Sequence, residues 1–498
     1  MSADLDPLDQ ALVPDVVVVC PEEYIIEPYE VERKLSVINP HKSCGPDEIP
    51  NWVWRDFSRW FAEPVCAIYN ASIREGVVPN EWKCANVVTI PKVNPPIAIE
   101  TDLRPISLTD TLSKVLESFV GSWILVELSG KLGDRQYGAM KGKSTTHELV
   151  DILHHWHRAL DSGESVRAVF IDYAKAFDHV DHSIVVRKLR NFGISDVLVR
   201  WFCSLLTNRK QRVKLSNVFS DWLSLNGSMP QGSFLGPLVF IILIDDLFAE
   251  CLIHKFIDDT TLTEFIKHNG PSQMATYINQ VMLWSRTNLM NINWKKTKEM
   301  FIGPKSQCSV PQLFIDNNTI DRVHVFKLLG VNIDDKLKWN SHVKAICSKA
   351  SARLHFLKLL KRSGVSADDL LHFYVTVIRT VLEYACPVWH KSLTVDGANQ
   401  IETVQKRAIN IIYSNCNYRE VCAQINLPTL FDRREELCES FFKDMYNSTN
   451  CLNYLLPLPR HNEIVNKLRH CYKLAPLTAR TVRYQKSFVV HALRYYQH

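Results

Sequence analysis

The chain has 498 residues, which gives room for about three domains at the usual ~150 residues each, and its 46% hydrophobic and 22% charged residues fit a globular class. No apolar run approaches the ~18 residues that span a bilayer, and the acidic start Met1-Ser-Ala-Asp-Leu-Asp6 is unlike a signal peptide, so an intracellular protein of the nucleus or cytoplasm with no membrane partner is expected. The net charge of +5, from 58 basic and 53 acidic residues, is mild, so only the distribution of charge can argue for a nucleic-acid partner.

In chain order, the first 30 or so residues are divided by Pro7, Pro14, Pro21 and Pro28 and read as a linker. A helical pattern begins at Val31, and the turn-rich Lys42-Ser-Cys-Gly-Pro-Asp47 leads into an aromatic helix-like stretch from Trp52 to Tyr69. A strand is predicted over Ala85–Ile90, stopped by Pro91, Pro95 and Pro96. Val166–Ile171 reads as a strand followed by a turn to Phe177, and Met229-Pro-Gln-Gly-Ser233 as a loop before a buried helix that starts near Gly236-Pro237, where proline suits the first turn. Cys251–Ile257 and Thr260–Phe265 are short β-rich runs on either side of Asp258-Asp259, which predicts a hairpin with acids at its tip. Helical Met274–Leu289, strand-like Met300–Ile302 and one extended run over Val323–Val331 follow. Beyond Ser341 nearly everything is helical. From Ser341 to Gly364, Lys344, Lys349, Arg353, Lys358, Lys361 and Arg362 alternate with Ile346, Leu354, Phe356, Leu357 and Leu360, with no acid. That pattern is either a solvated face of an ordinary helix or a helix that tracks a nucleic-acid groove.

The Asp-Asp dipeptide occurs four times, at 245, 258, 334 and 368, so the dipeptide alone carries no weight. Asp245-Asp246 ends the apolar stretch Leu238–Ile244 and Asp368-Asp369 opens a helix, whereas Asp258-Asp259 lies between extended runs. Asp172 closes the Val166–Ile171 run, and three carboxylates converge if that strand neighbours the hairpin. Such a set suits magnesium, which takes hard oxygen ligands, and two ions could serve phosphoryl chemistry; surface-turn acids are the plainer alternative. The fourteen cysteines show no repeated Cys-x-x-Cys pair and predict reduced thiols. Cys416-x5-Cys422, with Cys438, Cys451 and His470-Cys471, matches no tight zinc knuckle.

An ordered series of motifs over roughly residues 31 to 498 resembles the reverse transcriptases of non-LTR (LINE-type) retrotransposons, most like the Jockey and chicken-repeat lineages. The series comprises Gly45-Pro-Asp47; Ile90-Pro-Lys92 with Arg104-Pro-Ile-Ser-Leu108; Gln136-Tyr-Gly138 with Ser144-Thr-Thr146; Asp172-Tyr-Ala-Lys-Ala-Phe-Asp178; Pro230-Gln-Gly-Ser233 with Leu235-Gly-Pro237; Phe256-Ile-Asp-Asp259; Asn293 with Lys296-Thr297; and Phe326-Lys-Leu-Leu-Gly-Val331. Leu382-Glu-Tyr-Ala-Cys-Pro-Val-Trp389 and the Arg433-Arg434 region are similar to the family's helical tail.

The resemblance implies an α+β right-hand polymerase with an antiparallel palm sheet: a linker over 1–30, fingers and palm over 31–335, a helical thumb over 336–400 and a helical C-terminal extension over 401–498. It implies RNA-directed DNA synthesis with an RNA template, a DNA primer, deoxynucleoside triphosphates and two magnesium ions, manganese being the alternative. Asp172, Asp258 and Asp259 would be the catalytic, metal-binding triad. Lys92 and Arg104 would clamp the triphosphate, a task that suits a point charge and a planar fork. Phe177 would be the gate beneath the sugar, Tyr173, Gln231 and Gly232 would line the nucleotide and its templating base, and Lys296 would serve the leaving pyrophosphate. Lys327 and Gly330 would hold the primer end, and Lys344, Lys349 and Arg353 the template-primer duplex.

The sequence departs from the family pattern at Ile257, a β-branched residue expected to be at home in a strand, and at Met140 and Lys141. With about 30 residues ahead of the resembling region, the chain is expected to lack the family's upstream endonuclease, and no RNase H-like acidic set follows the thumb. An inactive nucleic-acid-binding remnant of such an element is the alternative.

Overall fold

The computed structural model describes residues 5–15, 19–268, 270–304, 310–414, 417–460 and 474–497. The chain divides into two compact units that alternate along the sequence: unit 1 is Met1–Ala139, Asp172–Phe248 and Gln280–Asn293, and unit 2 is Met140–Ile171, Ala249–Asn279 and Trp294–His498. The strands, in chain order, are β1 Cys84–Pro91, β2 Leu103–Leu108, β3 Ser165–Ile171, β4 Arg209–Leu215, β5 Val218–Phe219, β6 Leu223–Leu225, β7 Leu252–Phe256, β8 Asp259–Ile266, β9 Lys298–Ile302, β10 Phe314–Ile315, β11 Asn318–Thr319, β12 Asp321–Arg322, β13 Val325–Leu328 and β14 Val331–Asp334.

In unit 1, β1 lies between antiparallel β2 and parallel β4, and β5 and β6 both pair with β4. Helix Leu235–Ile244 is apolar all round, and every residue except Pro237 is buried, so it can only be a core helix. Its start is fixed by the buried Glu117 carboxylate, which accepts from the amides of Phe234 (2.9 Å) and Leu235 (3.3 Å), a negative charge placed where the helix dipole favours one. The amino-terminal segment expected to be a linker is docked: Leu8, Tyr24 and Ile26 are buried, the Ile26 amide donates to Asn70 Oδ1 (2.9 Å) and the Asp9 amide to Ser183 Oγ (3.0 Å). The prolines break its secondary structure, while the apolar residues between them supply anchors.

In unit 2, the sheet order is β12-β9-β3-β8-β7, antiparallel throughout except for the parallel β12/β9 pair. All seven residues of the central strand β3 are buried, in keeping with its run of Val, Ala, Phe and Ile. Its one charged residue, Arg167, is satisfied in place: it donates to Glu299 Oε1 (2.9 Å), Ser272 Oγ (2.7 Å) and the Pro311 carbonyl (2.6 Å), as a buried cation requires. Helix Thr145–Asp161, capped at its start by Ser144, packs on β3 and β7. The extended run expected over Val323–Val331 is instead a hairpin, β13–β14, which turns at Leu329-Gly330. The helical remainder includes Asn340–Arg362, Val395–Ile412, Leu430–Met445 and Phe488–Tyr495. Among the described residues no helix is long and apolar enough to cross a membrane.

Candidate active site

In the β7–β8 hairpin Phe256 pairs with Asp259, leaving Ile257-Asp258 as a two-residue loop. Asp258 therefore lies in the loop and exposed Asp259 opens β8, so the tip presents two adjacent acids, as the sequence predicts. Ile257 is not in a strand, contrary to expectation: it takes the first loop position with φ +59°. A two-residue hairpin turn asks for positive φ there, and a β-branched residue adopts it only under strain. Beside the hairpin, β3 ends at Ile171, paired with Thr260, and Asp172 is the next residue of the chain. In unit 1 the Asp172 carbonyl accepts from the Asn293 amide (2.8 Å), Tyr173 forms a bridge with Ile292, and the buried Tyr173 ring lies 6.2 Å from that of Trp284. This gives Asn293 of the motif series a structural task. Among the described residues no three His, Cys, Asp or Glu side chains gather into a group able to hold a metal ion.

The other Asp-Asp pairs have structural work. Asp246 accepts from Lys188 Nζ (2.6 Å) and Trp284 Nε1 (2.7 Å), and Asp245 from the Gly133 amide (2.8 Å). Asp334 caps the turn amides of Lys336 and Lys338, Asp335 meets His324 (2.6 Å), and Asp369 closes the cap of its helix with Ser366.

The expected nucleotide-binding residues fall mainly in unit 1. Ile90 pairs with Arg104, and the amide of Lys92 donates to the Asp102 carbonyl (2.7 Å), so by strand alternation the two exposed cations share one face of the β1–β2 ribbon. The Gln231 carbonyl accepts from the Ser107 amide (2.8 Å). Gly232, at φ +131°, has the Ser107 carbonyl 2.7 Å from where a Cβ would stand, so this approach admits only glycine. Burial pushes the Asp178 carboxyl up, against Lys175 and His179, a hydrogen bond with Gln231 and the charge of Lys92. Asp178, Ser107, Met229 and Gln231 line a cavity of about 240 Å³. The half-buried ring of Phe177 lies 5.4 Å from Phe240, and its carbonyl accepts from the Met229 amide (2.9 Å).

In unit 2, exposed Lys296 lies in the turn before β9. Lys327 is exposed on β13, whose Phe326 stacks on Phe170 at 3.9 Å and 3°. Tyr384 Oη donates to the Leu329 carbonyl (2.8 Å) and lies 2.9 Å from Thr145 Oγ1, so the tail motif braces the Leu329-Gly330 turn. On helix Asn340–Arg362, Lys344, Lys349, Lys358 and Arg362 are exposed. Arg353 is not on that face: its guanidinium donates to the Val377 carbonyl, and Lys361 is likewise turned inward to the Ile412 carbonyl (3.2 Å) and Ser414 Oγ (2.6 Å). Of the imagined zinc ligands, Cys416, His470 and Cys471 lie outside the described residues, and Cys422 and Cys438 are buried free thiols.

Two features escape the sequence reading. Lys210, Arg212 and Lys214 alternate along β4 and so share a face, with the Arg212 guanidinium 4.0 Å from the Phe219 ring and 4.5 Å from that of Trp222. The alternation of basic residues between 209 and 215 is the signal that could have found them. The second is Glu148, buried on helix Thr145–Asp161, whose Oε2 has no hydrogen-bond partner among the described residues. Burial, with the charges of Asp259 and Asp151 added, pushes its carboxyl well above the usual range.

Residues 90–333 match the family "Reverse transcriptase (RNA-dependent DNA polymerase)". The chain's relatives are enzymes of non-LTR (LINE-type) retrotransposons. The chain is 25% identical over 451 residues to the "Probable RNA-directed DNA polymerase from transposon X-element" of Drosophila melanogaster, covering 86% of this chain and 48% of that protein. It is 24% identical over 446 residues to the RNA-directed DNA polymerase from mobile element jockey of Drosophila funebris (85% and 48% covered), and 22% identical over 465 residues to that of Drosophila melanogaster (86% and 50%). The chain thus spans about half the length of these curated relatives.

Proposed function

We propose that this chain is an RNA-directed DNA polymerase, which adds deoxynucleotides to the 3′-hydroxyl of a DNA primer annealed to an RNA template. The observation that carries the reading is the β7–β8 tip, with Asp258 and Asp259 beside the end of a central strand that leads directly into Asp172, all inside the matched region. On this reading residues 31–335 are the fingers and palm of a right hand, 336–400 the thumb and 401–498 a helical extension. Hard carboxylate oxygens suit magnesium, or manganese in its place, and Asp172, Asp258 and Asp259 would hold two ions, which when bound favour an ionised primer hydroxyl and neutralise the leaving pyrophosphate.

The remaining residues position and select. Lys92 and Arg104, on one face of their ribbon, grip the triphosphate, and Lys296 serves the departing pyrophosphate. Gln231 and Gly232, pinned to β2 through Ser107, support the templated pair, while Tyr173 and Phe177 lie under the sugar, where an aromatic ring excludes a 2′-hydroxyl. Lys327 and Gly330 hold the primer end, and Lys344 and Lys349 follow the duplex backbone. Arg353 braces its helix instead. The basic, aromatic-flanked face of β4 has the composition of a track for single-stranded template.

The test is primer extension. The purified chain, with primed RNA, magnesium and deoxynucleotides, extends the primer, while Asp258→Asn binds the same duplex and extends it at least about 10³-fold more slowly. Equal extension by the two proteins overturns the assignment. Phe177→Ala raises ribonucleotide incorporation by about tenfold or more if the ring is the gate. Unchanged discrimination assigns Phe177 to packing against Phe240 alone.

A further inference from the structure

Asp151, on helix Thr145–Asp161, is fully buried, and both of its oxygens are engaged. Oδ2 accepts from His254 Nε2 (3.0 Å), on strand β7. Oδ1 accepts from the hydroxyl of Tyr454, from the short helical turn Asn453–Leu455 of the C-terminal extension, and lies 3.2 Å from His155 Nε2. Arg158 Nη2 faces His155 Nδ1 at 3.3 Å, and an arginine only donates, so Nδ1 accepts and the Nε2 proton points to Asp151. One carboxylate thus joins a strand of the acidic hairpin to a segment 303 residues further along the chain. His254 stands four positions before Asp258. The same helix holds the other arm of the hairpin, with Trp156 Nε1 donating to Thr263 Oγ1 on β8 (3.1 Å), and brings Glu148 close to Asp259.

We propose that the C-terminal extension positions the hairpin that carries Asp258 and Asp259, acting through the chain Tyr454 to Asp151 to His254, with these three as positioning residues. The inference rests on the reading of that hairpin as catalytic. A buried carboxylate is stable only with its donors in place, so the three side chains hold one another in a single arrangement. Strained Ile257 gives the tip reason to drift, and β7 is an edge strand of its sheet, paired among the described residues with β8 alone. The extension supplies the missing restraint. The Tyr454 ring is 53% exposed while its hydroxyl reaches the buried acid, so the contact depends on that oxygen rather than on packing of the ring.

Tyr454→Phe removes the oxygen and leaves the ring, and the control is Thr481→Val, which weakens a separate anchor of the extension on Asp161 (2.7 Å). Amide hydrogen exchange over residues 252–259 rises about tenfold in Tyr454→Phe and not in the control, and kcat for primer extension falls about three- to tenfold, with the nucleotide KM and duplex affinity within about twofold. Adding Tyr454→Phe to Asp151→Asn causes no further loss if the hydroxyl acts through that carboxylate. Unchanged exchange and unchanged kcat in Tyr454→Phe overturn the proposal, and additive losses in the double variant overturn the route through Asp151. If the unsubstituted chain extends no primer yet Tyr454→Phe loosens residues 252–259, the clamp stands and the polymerase reading falls.

Discussion

Two of the hairpins in unit 2 that turn in two residues, β7–β8 and β13–β14, begin the loop with a large apolar residue at positive φ, whereas a third, β10–β11, uses Asp316-Asn317. In β13–β14, Leu329 (φ +44°) is followed by Gly330 (φ +86°), the pair of left-handed residues that a type I′ turn demands, and Tyr384 catches the Leu329 carbonyl. In β7–β8, Ile257 (φ +59°) is followed by Asp258, with no glycine to ease the turn and a second acid next in line. One loop follows the chemistry of turns. The other gives up a better turn residue for a carboxylate, and holding Ile257 in that region costs about 1–3 kcal/mol that the rest of the unit must offset. Local rules are broken where the side chain is required for something other than folding.

If that contrast is right, the two hairpins respond oppositely to loss of their charged residues. Asp258→Asn lowers turnover by at least about 10³-fold, roughly 4 kcal/mol of barrier, with duplex affinity retained. Lys327→Ala on β13 leaves turnover of the bound duplex intact, weakens binding a few-fold and lowers the salt dependence of the affinity by about one released ion. Filter binding from low to moderate salt, beside single-turnover extension, separates the two. A loss of turnover in Lys327→Ala as large as in Asp258→Asn would mean that both hairpins do chemistry.

A smaller effect tests the well-made turn. Gly330→Ala places a Cβ 3.0 Å from the Tyr384 ring at a φ that L residues avoid, and costs about 1–2 kcal/mol in urea unfolding. Full stability in this variant would show that Tyr384, not glycine, sets the turn.

Much of this contrast was legible beforehand, for local reasons. The β-branched runs that became β1, β3, β7 and β8 announce their period, and the apolar stretch before Asp245 announces a core helix, so the informative Asp-Asp pair could be separated from the three with structural work. What stayed hidden depends on partners far along the chain. Arg353 reads as a member of a basic face, yet the Val377 carbonyl takes its guanidinium. Ile257 reads as a strand residue because only the Phe256–Asp259 pairing decides where the loop begins. Val323–Val331 reads as one strand because a single glycine is a weak turn signal without its register. Nothing local marks Asp151 or Tyr454, whose meaning lies in a contact across 303 positions.

The smallest effect bears most directly on the strained turn. Ile257→Gly relieves the backbone at φ +59° but gains freedom in the unfolded chain, worth about 0.5–1 kcal/mol against the folded state, so the two terms nearly cancel and stability shifts by less than about 1 kcal/mol in either direction. Activity does not share that cancellation. Without a side chain at 257 the loop samples many more backbone states, and the acids at 258 and 259 spend less time where the reaction needs them, so kcat falls several-fold while the nucleotide KM holds. Urea unfolding with steady-state extension on the same preparation reads both quantities. A variant that gains more than about 1 kcal/mol with full activity would show that the strain at Ile257 does nothing for the acids beside it.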